Sequence, residues 1–573
     1  MIGEVSLRRT FAAFGSAALF ASAIACSGGG SPTPPRPNDN GSGGNGSGGA
    51  SVGNAGTGNM SGGGGGSSVI GIEVLLKTCD TSALGQPQLR RLTRGELQRT
   101  LDDIFPQVKG KWAVSLPEAE SALGFDNDPA VLTVGGQVAG KLLDTATDLA
   151  TALVADDVLP QALSCASAAN HACAQTFLEQ FGRRLFRRPL TQADRDRYLS
   201  FFDAQLAASD FKSAIKWLTI GLIQSPHAIY RREVGTLSGG EYQLSPHEIA
   251  GELAYMFTGT TPSADLLAQA DAGQLDSPEH LTTIAGQLLA TPAGHDTLQR
   301  FFKGWLSYDQ IPGTLPNVSG FAAVAPDMVK ETQAFIQQTV LTDRGGLREL
   351  LTASYTNPSQ ALSSFYGLPA PSTDYAKVER PTGRGVGVLA QASLIAAHSH
   401  EAASSPTLRG LLVFERLLCG KRPQVPANVP TLVAASPGVK TTRQRYEEQH
   451  ITAGGACPLC HKMFDPLGFG FEHFDEAGRY REQEQGLPID SSGSLSDGST
   501  QPFTFSGLDE LAKNLSEQER VGLCSSGYVN AYAFANAVAC LGETRRAEFV
   551  AGKLGFIDYY ASLAAEPSLT RRK

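Results

Sequence analysis

Cys457-Pro458-Leu459-Cys460-His461 is the stretch of this 573-residue chain whose residue types and spacing carry the clearest chemistry. Two thiols separated by two residues can form thioethers with the two vinyl groups of a haem, and the adjacent histidine then becomes the proximal iron ligand. The pentapeptide admits three other uses. A thiol–disulfide exchanger would need a strand before the motif within a βαβ unit, and residues 452–471 offer none. Zinc would take Cys457, Cys460 and His461 with His450 or His473 as the fourth ligand, although adjacent Cys and His seldom share one zinc. The last use is a plain structural disulfide. Covalent haem is the favoured reading.

The opposite face of such an iron separates carrier from catalyst, since a shuttle of electrons usually has a second protein ligand. Met463 lies too close to His461 to cross the ring, and no methionine follows it. His450 is the expected sixth ligand, ahead of His473. Met256, Met328, His398 and His400 are remote candidates. An open position would instead admit peroxide or oxygen.

Other chemistry-bearing residues have plainer uses. Asp465, Glu472 and Asp475 stand among Gly468, Gly470 and Gly478, a pattern that suits turns and caps better than acid–base catalysis. Arg183, Arg184, Arg187 and Arg188 read as solvated or acid-paired residues of one helix, with haem propionates as the sharper alternative. The glycines of 383–387 read as a turn, and His398-Ser399-His400 as a polar surface feature.

The elements that must position these groups begin after an export segment. Arg8 and Arg9 precede an uncharged run from Phe11 to Ala25. Fifteen residues rise only about 22 Å as a helix, too short for a bilayer, so this is a signal peptide. It ends in Ala23-Ile24-Ala25-Cys26-Ser27, which looks like a lipobox, so Cys26 is expected to carry lipid and to anchor an exported chain at a membrane, periplasmic or on the cell surface. Arg8-Arg9-Thr10-Phe11 also resembles a twin-arginine signal, but the general secretory route suits attachment of haem to an unfolded motif. Ser27 to Ser68 is Gly, Ser, Asn and Pro with almost no large apolar residue. It reads as a disordered tether with a mean reach of roughly 35 Å. A net charge of −9 excludes the basic field that a nucleic-acid partner needs.

Export implies an oxidising compartment, where thiols pair. With Cys26 on lipid and Cys457 and Cys460 on haem, six cysteines remain of nine. Closeness in sequence predicts Cys165–Cys173 and Cys524–Cys540, and elimination leaves Cys79–Cys419.

The body reads as mainly α, several small helical domains in series behind the Gly/Ser-rich tether. Thr93 with Glu96 and Ser245 with Glu248 form capping boxes before apolar residues at helical spacing. Further helices are expected from Thr191, across 325–341, and from Ser516 with Glu519 at its third position. Composition places boundaries at 1–25, 26–68, 69–160, 161–238, 239–375, 376–484 and 485–573.

The segments 90–105 (RRLTRGELQRTLDDIF), 177–191 (FLEQFGRRLFRRPLT), 350–368, 387–426, 457–481 (CPLCHKMFDPLGFGFEHFDEAGRYR) and 505–538 occur in this order. Together they resemble a large family of exported bacterial proteins built from serial domains of unknown function, some associated with cytochrome c. The resemblance implies a bacterial, exported, haem-carrying protein. Joined to the lipobox and the Cys-x-x-Cys-His motif, the expectation is a lipid-anchored haem c protein for electron transfer or haem-dependent oxidation, with a redox protein as partner. The alternative is a non-enzymatic binding or scaffold lipoprotein whose Cys-x-x-Cys is a disulfide.

Overall fold

A computed structural model describes residues 75–77, 84–119, 123–315, 317–423, 439–452, 457–496, 500–535 and 543–573. The leader, Cys26, the tether, Cys79 and Cys540 lie outside the described residues. The described chain is mainly helical, with short antiparallel ribbons at the joints between helical groups. No described helix is long and apolar enough to cross a membrane.

Local sequence sets the helix starts. Strand β1 (Gln88–Arg91) leads into helix α1 (Arg94–Ile104), whose cap Thr93 accepts from the Glu96 amide while the Glu96 carboxylate accepts from the Thr93 amide at 2.9 Å. Strand β2 (Tyr230–Glu233) pairs antiparallel with β1, setting Gln88 opposite Glu233. Helix α2 (Pro246–Thr258) repeats the capping box with Ser245 and Glu248, and α3 (Pro292–Leu306) packs against it. The start expected at Ser516 is wrong. Ser516 closes the helix Gly507–Ser516, bonding back to the Lys513 carbonyl, and the next helix begins at Glu519 without a side-chain cap. The apolar pattern on each side is continuous enough that a serine with Glu three residues on imitates a cap.

Most buried apolar residues between Leu92 and Ile229, Phe125 excepted, share one core with Tyr255. A larger core draws on α2, α3 and most of the chain down to Leu569. A third cluster joins residues 315–328 to Leu362, Ala392, Ala396 and Ala477.

Ion pairs tie the first two of these cores together, and a disulfide closes the larger one. Arg90 of β1 and Arg231 of β2 meet Glu252 of α2, Glu233 and the C-terminal Arg572. The Arg90–Glu233 and Arg572–Glu233 contacts are 2.7 and 2.6 Å, and all five side chains are buried. Burial pushes the Glu233 pKa up, but Arg90, Arg572 and Arg231 overcome it and hold the carboxyl well below the usual range. Arg572 reaches this point because Arg571–Arg572 pairs with the strand Glu241–Gln243.

Cys165 and Cys173 are bridged. Cys419 pairs with Cys524, not with Cys79, and Cys524 does not pair with Cys540. Closeness in sequence misjudged this bond because the helix Glu519–Ala533 docks beside the turn that ends at Cys419, where the Arg520 guanidinium donates to the Leu418 carbonyl at 2.6 Å.

Three outcomes are expected. Non-reducing peptide mapping of the exported protein yields Cys165–Cys173 and Cys419–Cys524 peptides. The second bridge closes the longer loop, and replacing both of its cysteines with alanine costs about 4–5 kcal/mol in urea unfolding, against about 3 kcal/mol or less for the first. Glu233→Gln leaves buried arginines short of charge and costs about 3–5 kcal/mol at neutral pH. Because the folded-state pKa is depressed, that stabilisation is present above the ordinary glutamate range and is lost as pH falls through the lowered value. The gap between wild type and Glu233→Gln therefore closes in acid.

Candidate functional site

Helix α4 (Pro406–Leu411) and helix α5 (Cys457–Phe469) cross with their backbones in contact. A Cβ on Gly410 would stand 1.9 Å from the Phe464 carbonyl oxygen, and one on Gly468 1.8 Å from that of Pro406. Only glycine fits at either place. The crossing lays Thr407 of α4 against Asp465 of α5, where its hydroxyl donates to Oδ1 at 2.7 Å. Asp465 is fully buried, at 0% exposure.

Residues four apart share a helix face, so His461 stands above Asp465 and its Nδ1 lies 3.0 Å from Oδ2. A second histidine reaches the same oxygen. The helix Thr442–Tyr446, capped by Thr441 and continued through Ile451 in a wider turn, sets His450 Nδ1 3.3 Å from it. The two imidazole centroids are 4.0 Å apart. A carboxylate only accepts, so each histidine directs an Nδ1–H at it, and the neutral form of either ring has its lone pair at Nε2. His450 is 6% exposed, and its Nε2 has no hydrogen-bond partner among the described residues. Tyr446 packs edge-on against His450 at 4.6 Å, and its hydroxyl lies 3.3 Å from His400 Nε2. Burial raises the Asp465 pKa, but hydrogen bonds from His450, His461 and Thr407 outweigh it and hold the carboxyl below its usual value. The group stays ionised at neutral pH and keeps both tautomers fixed.

Cys457 and Cys460 occupy the first turn of α5, half-buried and unbridged, with Leu459 between them 77% exposed. The thiols thus lie at an open edge, while the histidine beside them is anchored from beneath. Free thiols, an accessible turn and an Nε2 lone pair on His461 fit the attachment and proximal ligation of a haem.

The expected sixth ligand does not fit. His450 stands beside His461 on the same carboxylate oxygen, in ring contact, with no room for a macrocycle between them. His473 is turned elsewhere, stacked on Tyr480 and bonded to the Arg481 carbonyl. Met256 and Met328 are buried in the larger and the third core. His398 and His400 are half-buried, not surface features. His398 Nδ1 donates to the Leu394 carbonyl, and burial lowers its pKa to about 4.

The three acids divide. Asp475 orders a turn, accepting from the Ala477 and Arg479 amides, and Glu472 accepts from Ser404 next to buried Arg409. Asp465 is not a turn residue but the hub of the histidine pair. The arginine run is structural: Arg183 pairs with Asp271, Arg184 with Asp103 and Arg188 with Asp194, while Arg187 donates to the His227, Ala228 and Tyr230 carbonyls. Residues 383–387 form the expected turn, with all three glycines at positive φ. Thr407 was invisible to sequence reading, since no spacing links it to the motif.

Gly468→Ala tests the crossing. The added methyl would meet Pro406 backbone, so α4 and α5 must separate. A loss of about 1–3 kcal/mol in urea unfolding is expected, with exposed helical Gly140→Ala, whose Cβ would meet nothing within 4 Å, as the control.

Comparison with known families divides the chain in the same order as its elements. Residues 90–155 match PSD3, a protein of unknown function (DUF1587). Residues 173–233 match PSD5 (DUF1595), 244–368 match PSD4 (DUF1592), and 385–484, which include both cysteines and both histidines, match PSCyt3 (DUF1588); each is described as a protein of unknown function. No curated protein and no solved structure matches the chain significantly.

Proposed function

We propose that this chain, built from serial domains of unknown function, is an exported haem c protein that transfers electrons or oxidises a substrate through its haem. Cys457 and Cys460 would hold the macrocycle, and His461 Nε2 would be the proximal iron ligand. The observation that carries the reading is the pairing of two free thiols on an open helical turn with a histidine whose Nδ1 is fixed on a buried carboxylate. Haem supplies one-electron and oxygen chemistry when bound. The protein's own part is to position the ligand. Asp465 holds the His461 ring and its tautomer, and makes its Nε2 a stronger donor. Thr407 holds Asp465, and the α4–α5 crossing holds Thr407.

Bridged Cys165–Cys173 and Cys419–Cys524 support an oxidising compartment. The leader and Cys26 support export and lipid anchoring, and an electron carrier requires a redox partner protein. The name of the family matched by residues 385–484, PSCyt3, agrees with a cytochrome-like domain.

A second reading rests on one observation. Ligand atoms of His450, His461 and Asp465 lie within 4.8 Å of one another, a spacing that suits a single divalent metal such as zinc. The two readings use His461 differently and exclude each other.

Production with cytochrome maturation machinery, then denaturing electrophoresis with haem-peroxidase staining, separates them. Wild type is expected to stain, and Cys457→Ala with Cys460→Ala to lose the stain entirely. A colourless wild type carrying one equivalent of metal that His450→Ala removes would establish the metal site instead. A colourless, metal-free protein would leave the scaffold lipoprotein.

A further inference from the structure

A second built site lies on different elements. A cavity of about 120 Å³ opens where α1, the loop 124–127, α2, α3 and the helix Glu519–Ala533 meet. Two guanidiniums, Arg99 from α1 and Arg300 from α3, turn into it. Glycines make the space. A Cβ on Gly259 would stand 2.5 Å from an Arg300 nitrogen and 2.9 Å from an Arg99 nitrogen, and one on Gly95 would stand 3.0 Å from Arg99. Two like charges therefore share the same few ångströms.

Glycine also seats the opposite wall. A Cβ on Gly124 would fall 2.0 Å from the Gly304 carbonyl oxygen of α3, so loop and helix touch. Asp126 and Asn127 follow on that loop, and the Asn127 amide donates to the Tyr532 carbonyl at 2.8 Å.

The charges around the cavity are unevenly matched. Arg300 is tied to Asp296 and to Thr297 Oγ1. Glu96 is occupied by the Thr93 cap and by Arg231. Arg99 bonds only the Gly259 carbonyl, at 2.9 Å, and forms no ion pair among the described residues. Burial first, and Arg300 next, lower the Arg99 pKa. A half-buried cation beside a second cation is costly unless an anion joins it.

We infer that this cavity binds a small carboxylate that also bears a hydroxyl or amine, with the carboxylate on Arg99 and Arg300 and the donor group on Asp126. The planar guanidinium fork matches two carboxylate oxygens. Asp126 disfavours a dianion such as phosphate while offering an acceptor to a neighbouring donor. The site uses no residue of the cysteine–histidine turn and stands whether or not haem is bound.

Titration calorimetry and thermal unfolding of the purified full chain test this, with lactate, acetate and phosphate compared at constant ionic strength in chloride. Saturable binding of lactate with a raised midpoint is expected, tighter than acetate and tighter than phosphate. Arg99→Gln should weaken lactate at least tenfold, a change of about 1.4 kcal/mol. Asp126→Asn should bring lactate down to the level of acetate, and it keeps the test open if Arg99→Gln does not fold. Absence of saturable lactate binding, lactate binding unchanged in both variants, or phosphate binding as tightly as lactate would each overturn the assignment.

Discussion

Arg90, Arg231 and Arg572 enclose Glu233 and Glu252 out of contact with water, and the assembly of the chain depends on that cluster. The five residues come from the first ribbon, the helix that opens the third matched segment and the strand Arg571–Arg572. None of these charges can be buried alone without a penalty of several kcal/mol. Serial segments therefore close on one another and do not remain beads on a string. The Cys419–Cys524 bridge adds a covalent tie between the histidine region and the C-terminal helices.

The same rule operates at smaller scale at Asp465. One carboxylate is buried completely, and three donors satisfy it: Thr407, His461 and His450. The cost of burying the acid is offset by fixing two imidazoles. Among the described residues, His450 Nε2 has no hydrogen-bond partner and two half-buried, unbridged thiols stand on the turn beside His461. A fixed ligand beside accessible thiols suits a group added after export. In the Arg99–Arg300 cavity the rule is left incomplete, since Arg99 forms no ion pair among the described residues, and the inferred ligand would supply one.

Much of this was legible in sequence where the interactions are local. The capping boxes at Thr93 and Ser245 span three residues, and the structure forms both as read. The mainly helical character followed from apolar spacing. The Cys457–His461 motif is local as well. The misreadings involve contacts between distant segments or ambiguous neighbours. Cys419 and Cys524 are 105 residues apart, so closeness in sequence pointed to the wrong bonds. Ser516 has the residues of a cap but lies at the end of a helix. Asp465 could have been read from its spacing of four from His461, but Gly468 and Gly470 beyond it suggested a turn. Gly468 is instead the contact point of two helices. His450 was found as a neighbour of the motif, but its side of the ring could only come from the fold.

The most direct measurement is the visible absorption of the mature chain, purified after export from a host that matures c-type cytochromes. Covalent haem on Cys457 and Cys460 with His461 as ligand predicts a Soret band, sharp α and β bands on reduction, and colour that stays with the denatured polypeptide. A colourless protein whose Cys457 and Cys460 both react as free thiols would contradict the account.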